Sequence, residues 1–393
     1  MRWDFYLMLP ANQKINKSRK LKILFTGGGS GGHIYPIVAI IREIKRISPN
    51  KFEFYFIGPG NRFAKLIFKK EGVKMYSTLG GKIRRYFSLK NFVDILIKFP
   101  ISCLQSFFYV FLISPDLTFS KGGYGAFPAS LWTWFFQIPL LTHESDVEMG
   151  RTNRMMARPA EEIFVSFSGT ALKYKNKRIV VGNPIRKQLL VPIDPWQAKD
   201  DLGLTRNKPV LLILGGSQGS KFMNNVLLES LSLFLNDFNV IHQCGKKDFK
   251  TVKTISNVMA NDQQLKSYHP YPFLNEWTLR RAYFAADLII SRAGAGAIFQ
   301  IAALGKPSIL VPVASSVAGD HQIINANVFS NHGKRAVVIE EKNFTPHFFS
   351  EIVHQLFRQP HTLKAMRTKA LSFAKPEATE TIARYIIQYL KEA

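Results

Sequence analysis

Cysteine and acidic residues are scarce in this sequence. Two cysteines, Cys103 and Cys244, stand among 393 residues, which excludes a disulfide framework and a cysteine-only zinc site and fits a reducing cytoplasm. Lys and Arg number 53 against 27 Asp and Glu, a formal net charge of +26. An AT-rich genome that favours lysine codons would explain part of this excess. The charge also favours a polyanionic partner, and nucleic acid, a phosphorylated substrate and anionic lipid are all open alternatives.

Long uninterrupted apolar runs are also missing. Residues 1–20 contain a short apolar run without a small-residue cleavage site, so we predict no signal peptide. Residues 89–113 are very apolar, but four residues interrupt them: Lys90, Asp94, Lys98 and Pro100. The interruptions come before the ~18 continuous apolar residues of a spanning helix accumulate. We therefore predict no transmembrane helix.

Several catalytic motifs are absent. The chain has no DxD motif and no cluster of histidines and carboxylates with metal-ligand spacing, so we predict no protein-held metal and no cofactor. It has no GK(S/T) sequence, which argues against P-loop enzymes. Any anionic leaving group would have to be stabilised by cationic side chains and helix N-termini.

The sequence does contain the same strand, glycine loop and helix pattern twice. The first copy has an apolar strand at residues 21–25, glycines between 27 and 32, and a helical pattern after His33. The second has a strand at 210–214, glycines at 215, 216 and 219, and a helix with apolar residues three and four apart. Two such strand, loop and helix units half a chain apart predict that the two halves of the chain have similar, nucleotide-binding folds.

Other short apolar segments fit an alternating α/β order with parallel sheets. They are KFEFYFIG, PLLTH, EEIFVSF and RIVVG in the first half and FNVIHQCG, DLIIS and PSILVPV in the second. Residues 182–202 contain three prolines and are typical of a linker. We predict an N-terminal domain over 1–185, a C-terminal domain over 186–375, and a last helix within 376–393 that packs back on the N-terminal domain.

The first glycine loop, GGGSGG, precedes His33. Glycines let the backbone approach a ligand closely, and the N–H groups of the following helix favour an anion or a sugar oxygen. The loop lacks the GxGxxG order of a dinucleotide site, and Glu53, near the spacing of the expected acid, falls within a strand. At a helix N-terminus the pKa of His33 would be lowered, as suits a general base. The alternative is a histidine that only bonds loop carbonyls.

Loops in the second half have a similar composition. Ser217 of GGSQGS lies where backbone N–H groups would meet a pyrophosphate, unless the loop is only a tight turn. Residues 292–297 form a small-residue loop in which Arg292 could reach a phosphate. Residues 320–326, DHQIINA, carry polar side chains of the kind that bind sugar hydroxyls. Alternatively this last segment is an ordinary helix start capped by Asp320.

The apolar stretch near residue 100 is preceded by basic residues. Cationic and apolar side chains alternate across residues 82–98: Lys82, Arg84, Arg85, Lys90 and Lys98 with Tyr86, Phe87, Leu89, Phe92, Ile95, Leu96 and Ile97. A basic rim around apolar side chains suits an anionic membrane surface. A buried core helix with a solvated charged face is the alternative. Because the net charge supports it, we favour membrane contact within 82–113.

Ten segments, taken in order, together resemble the MurG family of bacterial peptidoglycan glycosyltransferases. They are TGGGSGGHIYP, SKGGYGAFP, THESDVEMGRTNRMMA, VVGNPIR, LGGSQGS, HQCG, YPFLNE, SRAGA, ALGKPSILVP and DHQIINA, from about residue 20 to residue 330. The resemblance implies an α/β GT-B fold, in which two Rossmann-like domains with parallel sheets face each other across a cleft. It also implies a peripheral enzyme at the cytoplasmic face of the cell membrane.

The activity implied by the resemblance is inverting transfer of N-acetylglucosamine from UDP-N-acetylglucosamine to the muramyl sugar of lipid I, which gives lipid II. The N-terminal half would bind the acceptor and the C-terminal half the donor. A related GT-B enzyme acting on a glycerolipid is one alternative. A noncatalytic basic protein that binds nucleic acid is another, but no helix-turn-helix, RNP or zinc-finger pattern is present, and we expect no nucleic acid.

Site residues follow from the same resemblance. His33 would be the base, Arg186 and Ser217 would hold phosphate, and Leu274 would meet uracil through its backbone. Tyr124 and Glu144 would lie in the cleft. The full set implied for UDP-N-acetylglucosamine is Ser30, Gly31, Gly32, Asp146, Arg186, Ser217, Leu274, Ala295, Gly296, Ala297, Ile298, Phe299, Gln300 and Gln322.

Three of these positions depart from the family pattern. Asp146 stands where the family's HExN motif usually has asparagine, and an ionised carboxylate accepts hydrogen bonds but donates none. Gln300 replaces a glutamate that bonds both ribose hydroxyls in the family. Ala297 replaces a threonine. We expect these changes to leave the fold intact and to alter donor affinity.

Overall fold

The computed structural model describes residues 19–80, 94–170, 174–313 and 320–392. The basic and apolar residues of 82–92 that entered the membrane prediction lie outside this part. The strands are Leu21–Thr26 (β1), Phe52–Pro59 (β2), Lys74–Thr78 (β3), Leu117–Ser120 (β4), Leu140–Glu144 (β5), Glu162–Val165 (β6), Arg178–Val180 (β7), Val210–Leu214 (β8), Asn239–Gln243 (β9), Tyr268–Tyr271 (β10), Leu288–Ser291 (β11), Ser308–Leu310 (β12) and Val337–Val338 (β13).

Helices connect most of these strands. They are Gly31–Ile47 (α1), Arg62–Lys70 (α2), Phe99–Ile113 (α3), Phe127–Phe135 (α4), Arg151–Met156 (α5), Pro195–Asp201 (α6), Lys221–Phe234 (α7), Phe249–Met259 (α8), Asp262–Leu265 (α9), Glu276–Ala285 (α10), Ala295–Ala303 (α11), His321–Ser330 (α12), Pro346–Arg358 (α13), Pro360–Leu371 (α14) and Ala378–Glu392 (α15). A π-helical turn, Asp94–Lys98, leads into α3.

Two parallel sheets are present. The first has seven strands in the order β3-β2-β1-β4-β5-β6-β7, and the second has six in the order β10-β9-β8-β11-β12-β13. In each sheet the order reverses beside the strand that precedes a glycine loop, between β1 and β4 and between β8 and β11. Ligands of open α/β sheets bind at this switch point, outside the carboxyl ends of the strands. Both glycine loops therefore lie where this topology places a ligand.

Alternating side chains of the central strands fill two apolar layers. Leu211 and Ile213 of β8 pack into one layer, while Leu212 and Leu214 pack into the layer on the other face. Strands buried on both faces read as continuous apolar runs, which explains why β1 and β8 were predicted at their observed positions.

Strand β4 was not predicted. Its sequence, LTFS, is half polar, yet all four residues are buried. Helix α4 satisfies the hydroxyls: Thr133 Oγ1 donates to Thr118 Oγ1 at 3.1 Å, and Ser130 Oγ donates to Ser120 Oγ at 3.2 Å. The sequence also gave no prediction for β3, β10 and β13, which are edge strands.

The last helix, α15, crosses back to the first domain. Its side chains Ile382, Ile386 and Leu390 join the apolar layer that contains α1 and β1. Thr379 ties the start of this helix to the linker, since its Oγ1 accepts from the N–H of Ile185 at 2.9 Å and donates to the carbonyl oxygen of the same residue at 2.7 Å. The C-terminus thus belongs to the core of the N-terminal domain.

Helix α3 shows apolar side chains to solvent. Its small and aliphatic residues face the sheet, and Ser102, Ser106, Val110 and Ile113 are buried there. Among the described residues, one helical stretch, Leu96–Ile113, is by length and composition apolar enough to cross a membrane, with a mean hydropathy of 1.7.

Candidate active site

The two domains enclose a cavity of about 380 Å³ at the carboxyl ends of both sheets. The domains meet in the cavity wall, because a Cβ placed on Gly31 of the first glycine loop would lie 3.3 Å from the Cβ of Ser217 in the second. Nine of the predicted donor residues line the cavity: Gly31, Gly32, Arg186, Ser217, Leu274, Gly296, Ala297, Gln300 and Gln322. The structure therefore brings together residues nearly 300 positions apart in sequence.

His33 lies beside the cavity, in the first turn of α1. Ser30 is the N-cap residue of this helix, and its Oγ is 3.0 Å from His33 Nδ1. His33 Nε2 points towards Gly123, where an added Cβ would come within 2.8 Å of it. Burial of the ring, followed by the positive charge of Lys121, lowers the pKa of His33 to about 4. The imidazole is therefore unprotonated at neutral pH, as a general base requires.

Arg186 is buried in the cavity wall and is 5% exposed. Its guanidinium stacks on the ring of Tyr35 at 3.9 Å and donates from one terminal nitrogen to Glu276 Oε2 at 3.0 Å. Arg186 Nε is buried without a hydrogen-bond partner among the described residues. An unpartnered buried donor is costly, so this nitrogen is a ready contact for an anion such as a diphosphate.

The carboxylate of Glu276 joins the two domains. It accepts from Arg42 of α1 at 2.9 Å and from Arg186. Arg42 in turn pairs with Glu71 at 2.8 Å. A continuous row of alternating charges thus runs from Glu71 and Arg42 in the N-terminal domain through Glu276 to Arg186, the side chain predicted to bind phosphate.

A second contact joins the domains near β5. Asp146 Oδ1 accepts from Asn325 Nδ2 at 2.8 Å, while Asn325 Oδ1 accepts from the N–H of Val147 at 3.0 Å. Asn325 is fully buried. Asp146 does not line the cavity, so in this structure its carboxylate connects the domains, and its predicted contact with the donor remains a prediction.

Glu144 organises the same loop. Its carboxylate accepts from the N–H groups of Asp146 and Gly150 at 3.0 and 2.9 Å and from Asn153 Nδ2 at 2.9 Å. Burial is the main cause that raises the pKa of this carboxyl. Tyr124, by contrast, is 39% exposed.

Gln243 lies at the end of the cavity that is predicted to bind uracil. Its Oε1 accepts from the N–H of Leu274 at 3.0 Å, and its Nε2 donates to the carbonyl oxygen of Gly216 at 2.8 Å. The N–H of Leu274 is thus occupied in this structure. Gln243 connects the second glycine loop to the segment predicted to meet uracil, a role that was not predicted from the sequence.

Gln300 faces the cavity with its amide oxygen already bonded. The buried hydroxyl of Tyr283 donates to Gln300 Oε1 at 2.7 Å. The Nε2 group, a hydrogen-bond donor, therefore remains for a ligand at this position. Gln322 Oε1 likewise accepts from the N–H of Val313 at 3.2 Å.

Three predicted residues do not line the cavity because they are buried, and a fourth, Ser30, lies beside it. Ala295, Ile298 and Phe299 belong to the apolar core of the second domain, and Phe299 packs edge-on against Phe167. Ser30 lies at the helix N-cap beside His33. Any donor contact of Ala295, Ile298 and Phe299 would come from the backbone.

Arg292 lines the cavity, and its predicted contact with a phosphate remains a prediction because its guanidinium already has protein partners. Its guanidinium donates to Glu341 Oε1 at 2.5 Å, to Ser220 Oγ at 2.7 Å and to the carbonyl oxygen of Val311 at 3.1 Å. The side chain is therefore a brace between the second glycine loop and the neighbouring strand. Ser220, which accepts one of these bonds, is the N-cap residue of α7.

Four residues that line the cavity were not predicted from the sequence: Tyr35, Asn183, Gln243 and Tyr283. Tyr35 lies two residues after His33, and Asn183 belongs to the GNP segment before the linker, so both could have been found from their proximity to predicted residues. Among the described residues, no three His, Cys, Asp or Glu side chains are grouped as a metal site would require.

Two parallel, doubly wound domains that face each other across this cavity have the GT-B fold of nucleotide-sugar glycosyltransferases. The glycosyltransferase family 28 N-terminal domain matches residues 23–165, and the glycosyltransferase family 28 C-terminal domain matches residues 210–382. The chain therefore belongs to glycosyltransferase family 28 and, on the full-length relatives that follow, to its MurG family.

Curated relatives match almost end to end. The chain is 33% identical over 373 residues to a UDP-N-acetylglucosamine–N-acetylmuramyl-(pentapeptide) pyrophosphoryl-undecaprenol N-acetylglucosamine transferase of Clostridium tetani, covering 93% of this chain and 98% of the relative. A transferase of the same name, numbered 2, from Bacillus anthracis is 34% identical over 366 residues, covering 93% and 99%. The crystal structure of Acinetobacter baumannii MurG superposes with a TM-score of 0.70 at 23% identity, covering 94% of this chain and 99% of that one.

Proposed function

We propose that the protein transfers N-acetylglucosamine from UDP-N-acetylglucosamine to the muramyl sugar of lipid I, with inversion, and so makes lipid II. The observation that carries this proposal is the meeting of the two glycine loops, which places His33 of one domain beside a cavity lined by Arg186 and Ser217. The curated relatives carry this activity in their names. The N-terminal domain would bind the acceptor and the C-terminal domain the donor.

The reaction follows from these positions. The acceptor hydroxyl attacks the anomeric carbon, the bond from that carbon to the diphosphate oxygen breaks, and UDP leaves as an anion. The hydroxyl proton passes to His33 Nε2, since the Nδ1–H can donate to Ser30 Oγ and so leave the Nε2 lone pair free. General-base catalysis of this kind contributes about 10²- to 10⁴-fold.

The leaving diphosphate would be stabilised without a protein-held metal. Arg186 supplies a buried guanidinium with an unpartnered Nε, and its stacking on Tyr35 and its bond to Glu276 fix its orientation. The N-terminus of α7 follows the second glycine loop, and a helix N-terminus favours an anion. Preorganised donors of this kind cost no rearrangement during the reaction.

The membrane surface is the proposed location of the lipid acceptor. Eight large apolar side chains of the π-turn, α3 and α4 are more than half exposed: Leu96, Ile97, Leu104, Phe108, Phe111, Leu112, Trp134 and Phe135. Exposed apolar side chains grouped on neighbouring elements mark a protein or membrane interaction site. We propose that it enters the interface of the cytoplasmic leaflet as a peripheral contact, with anionic lipid attracting the basic residues.

Membrane contact is tested by sedimentation with vesicles that contain anionic lipid. Replacing Phe108 and Phe111 by Asp should abolish binding, because charges would enter the apolar interface. Replacing Val258, an exposed apolar residue of α8, by Asp is the matched control and should leave binding unchanged. Equal binding by both variants would exclude this surface.

The activity is tested by incubating purified protein with labelled UDP-N-acetylglucosamine and either lipid I or diacylglycerol. The proposal predicts label on lipid I alone, as a disaccharide with inverted anomeric configuration. Label on diacylglycerol would establish the glycerolipid alternative. A duplex DNA fragment added at low salt distinguishes the nucleic-acid alternative, for which we expect no specific binding.

A further inference from the structure

A lysine is buried next to the proposed base. Lys121 directly follows β4 and is 2% exposed. Its ammonium bonds to His143 Nδ1 at 2.7 Å, to Asn183 Oδ1 at 3.3 Å and to the hydroxyl of Ser145. An ammonium has three donors, and here all three meet uncharged acceptors.

The tautomer of His143 supports this arrangement. His143 Nε2 is 3.0 Å from the carbonyl oxygen of Gly182, which can only accept, so Nε2 carries the proton. Nδ1 then has a lone pair and accepts from Lys121. The three acceptors around Lys121 need three N–H donors, which only the protonated ammonium has, so Lys121 is held as a cation inside the domain.

Gly27 lies between the side chains of His33 and Lys121. A Cβ placed on Gly27 would be 3.4 Å from the Cβ of His33 and 3.5 Å from the Cβ of Lys121. The residues after Lys121 continue around the ring: the N–H of Gly28 donates to the carbonyl oxygen of Gly122 at 3.2 Å. The β4 loop therefore encloses the imidazole and places the lysine behind it.

Charges around this pair are distributed unevenly. Titratable groups of the described residues beside this pair include His143, Glu144 and Asp146. The carboxylates of Glu144 and Asp146 raise the pKa of Lys121, against the burial that lowers it to about 8. For His33 the charge that matters is that of Lys121, and it lowers the pKa further than burial alone.

We propose that Lys121 is a positioning residue for catalysis: its buried positive charge, which lies across Gly27 from His33, keeps the imidazole unprotonated in mildly acidic solution. The inference rests on the proposed function only in taking His33 as the base. The electrostatic effect on His33 does not depend on which lipid is the acceptor.

A nearby cation has opposite effects at low and high pH. It keeps the lone pair of His33 free in acid, and it weakens the same nitrogen as a base in alkali. Without Lys121 the imidazole should gain a proton at higher pH and be a stronger base once unprotonated. A residue that only supported the fold would lower activity at every pH.

The first experiment measures the proton on His33 directly, by NMR titration of the histidine ring signals with His33→Ala for assignment. Lys121→Met should raise the midpoint of the His33 titration by about one pH unit, whereas Lys121→Arg should leave it near the wild-type value. Lys306→Met is the matched control, because Lys306 is another buried lysine, bonded to the carbonyl oxygens of Phe284 and Ala286. A shift below about 0.3 units in Lys121→Met would overturn the proposal.

The second experiment follows transfer against pH. In Lys121→Met the acid limb of kcat/KM should move up with the NMR midpoint, while the rate above pH ~7.5 stays equal or rises. An acid limb in Lys121→Met that coincides with the wild-type limb would overturn the proposal. Absent transfer in the wild type would count against the proposed function alone, since the NMR result stands without it.

Discussion

The two glycine loops look alike in sequence but use their glycines differently. In the first, residues 27–32, no glycine has a positive φ, and the side-chain-free positions make room for neighbours such as His33 and Asn61. In the second, Gly216 and Gly219 have φ of +91° and +80°. A Cβ on Gly219 would also lie 2.0 Å from the carbonyl oxygen of Cys244.

This difference corresponds to the difference in proposed role. The first loop begins a helix and positions a side chain that reacts, so its glycines clear space around His33. The second loop turns sharply, and its own backbone lies at the cavity, where it would meet the diphosphate. Space is needed in one case and conformation in the other.

The largest expected effect of a glycine substitution is in the second loop. Gly219→Ala should destabilise the protein by more than about 3 kcal/mol, because the left-handed φ costs about 1–2 kcal/mol and the overlap with backbone atoms adds to it. Gly216→Ala has the same kind of φ but nothing within 4 Å of an added Cβ, so it should cost only about 1–2 kcal/mol. Urea unfolding of both variants measures the difference, and equal losses would contradict the steric argument.

Acid should destabilise the protein through histidines held neutral near both loops. Burial and Lys121 lower the pKa of His33 to about 4, and burial lowers that of His242 to about 3. The unfolded chain binds these protons near pH 6.5 and the folded protein does not, so stability is full above 6.5 and falls as pH decreases. Each histidine contributes up to about 1.4 kcal/mol per pH unit between 6.5 and 4.

Urea unfolding at pH 7, 6 and 5 measures this slope. His242 bonds Tyr268 and Asn224 inside the second domain, away from the proposed chemistry. His242→Gln should therefore reduce the slope by one group. A slope unchanged by this substitution would show that His242 is protonated in the folded protein.

The smallest effects are expected in the first loop. Gly32→Ala meets only Ser30 Oγ at 3.9 Å and should change the free energy of unfolding by less than about 0.5 kcal/mol. Gly29→Ala would approach Asn61 Nδ2 at 2.8 Å, a side chain that can move at a cost of about 1 kcal/mol. Thermal unfolding tests the order. A larger loss for Gly32→Ala than for Gly29→Ala would mean that space is not what this loop requires.

The elements with a recognisable apolar pattern were predicted from the sequence. Strands β1 and β8 and the glycine loops after them were found because a doubly buried parallel strand is a continuous apolar run. Strand β4 was not predicted because it contains the polar residues Thr118 and Ser120. Their hydroxyls are hydrogen-bonded to hydroxyls of helix α4, a pairing that depends on tertiary structure.

The candidate site shows the same limit. Residues such as His33, Arg186 and Ser217 were found from motifs, and the structure places them around or beside one cavity. Arg292 also lines the cavity, but its hydrogen bonds with Glu341 and Ser220 could not be predicted from the sequence. The burial of Lys121 could not be predicted either, because lysine is almost never buried and nothing in its sequence neighbours indicates the acceptors that surround it.

The most direct test of the account separates the two loops by function. UDP binding by calorimetry and transfer rates at saturating donor would be measured for His33→Ala and Ser217→Ala. His33→Ala should bind UDP within about twofold of the wild type and lose about 100-fold or more in kcat, whereas Ser217→Ala should weaken UDP binding about five- to tenfold and keep most of kcat. Unchanged turnover in His33→Ala, or a loss of UDP binding there and not in Ser217→Ala, would contradict the assignment of chemistry to the first loop and donor binding to the second.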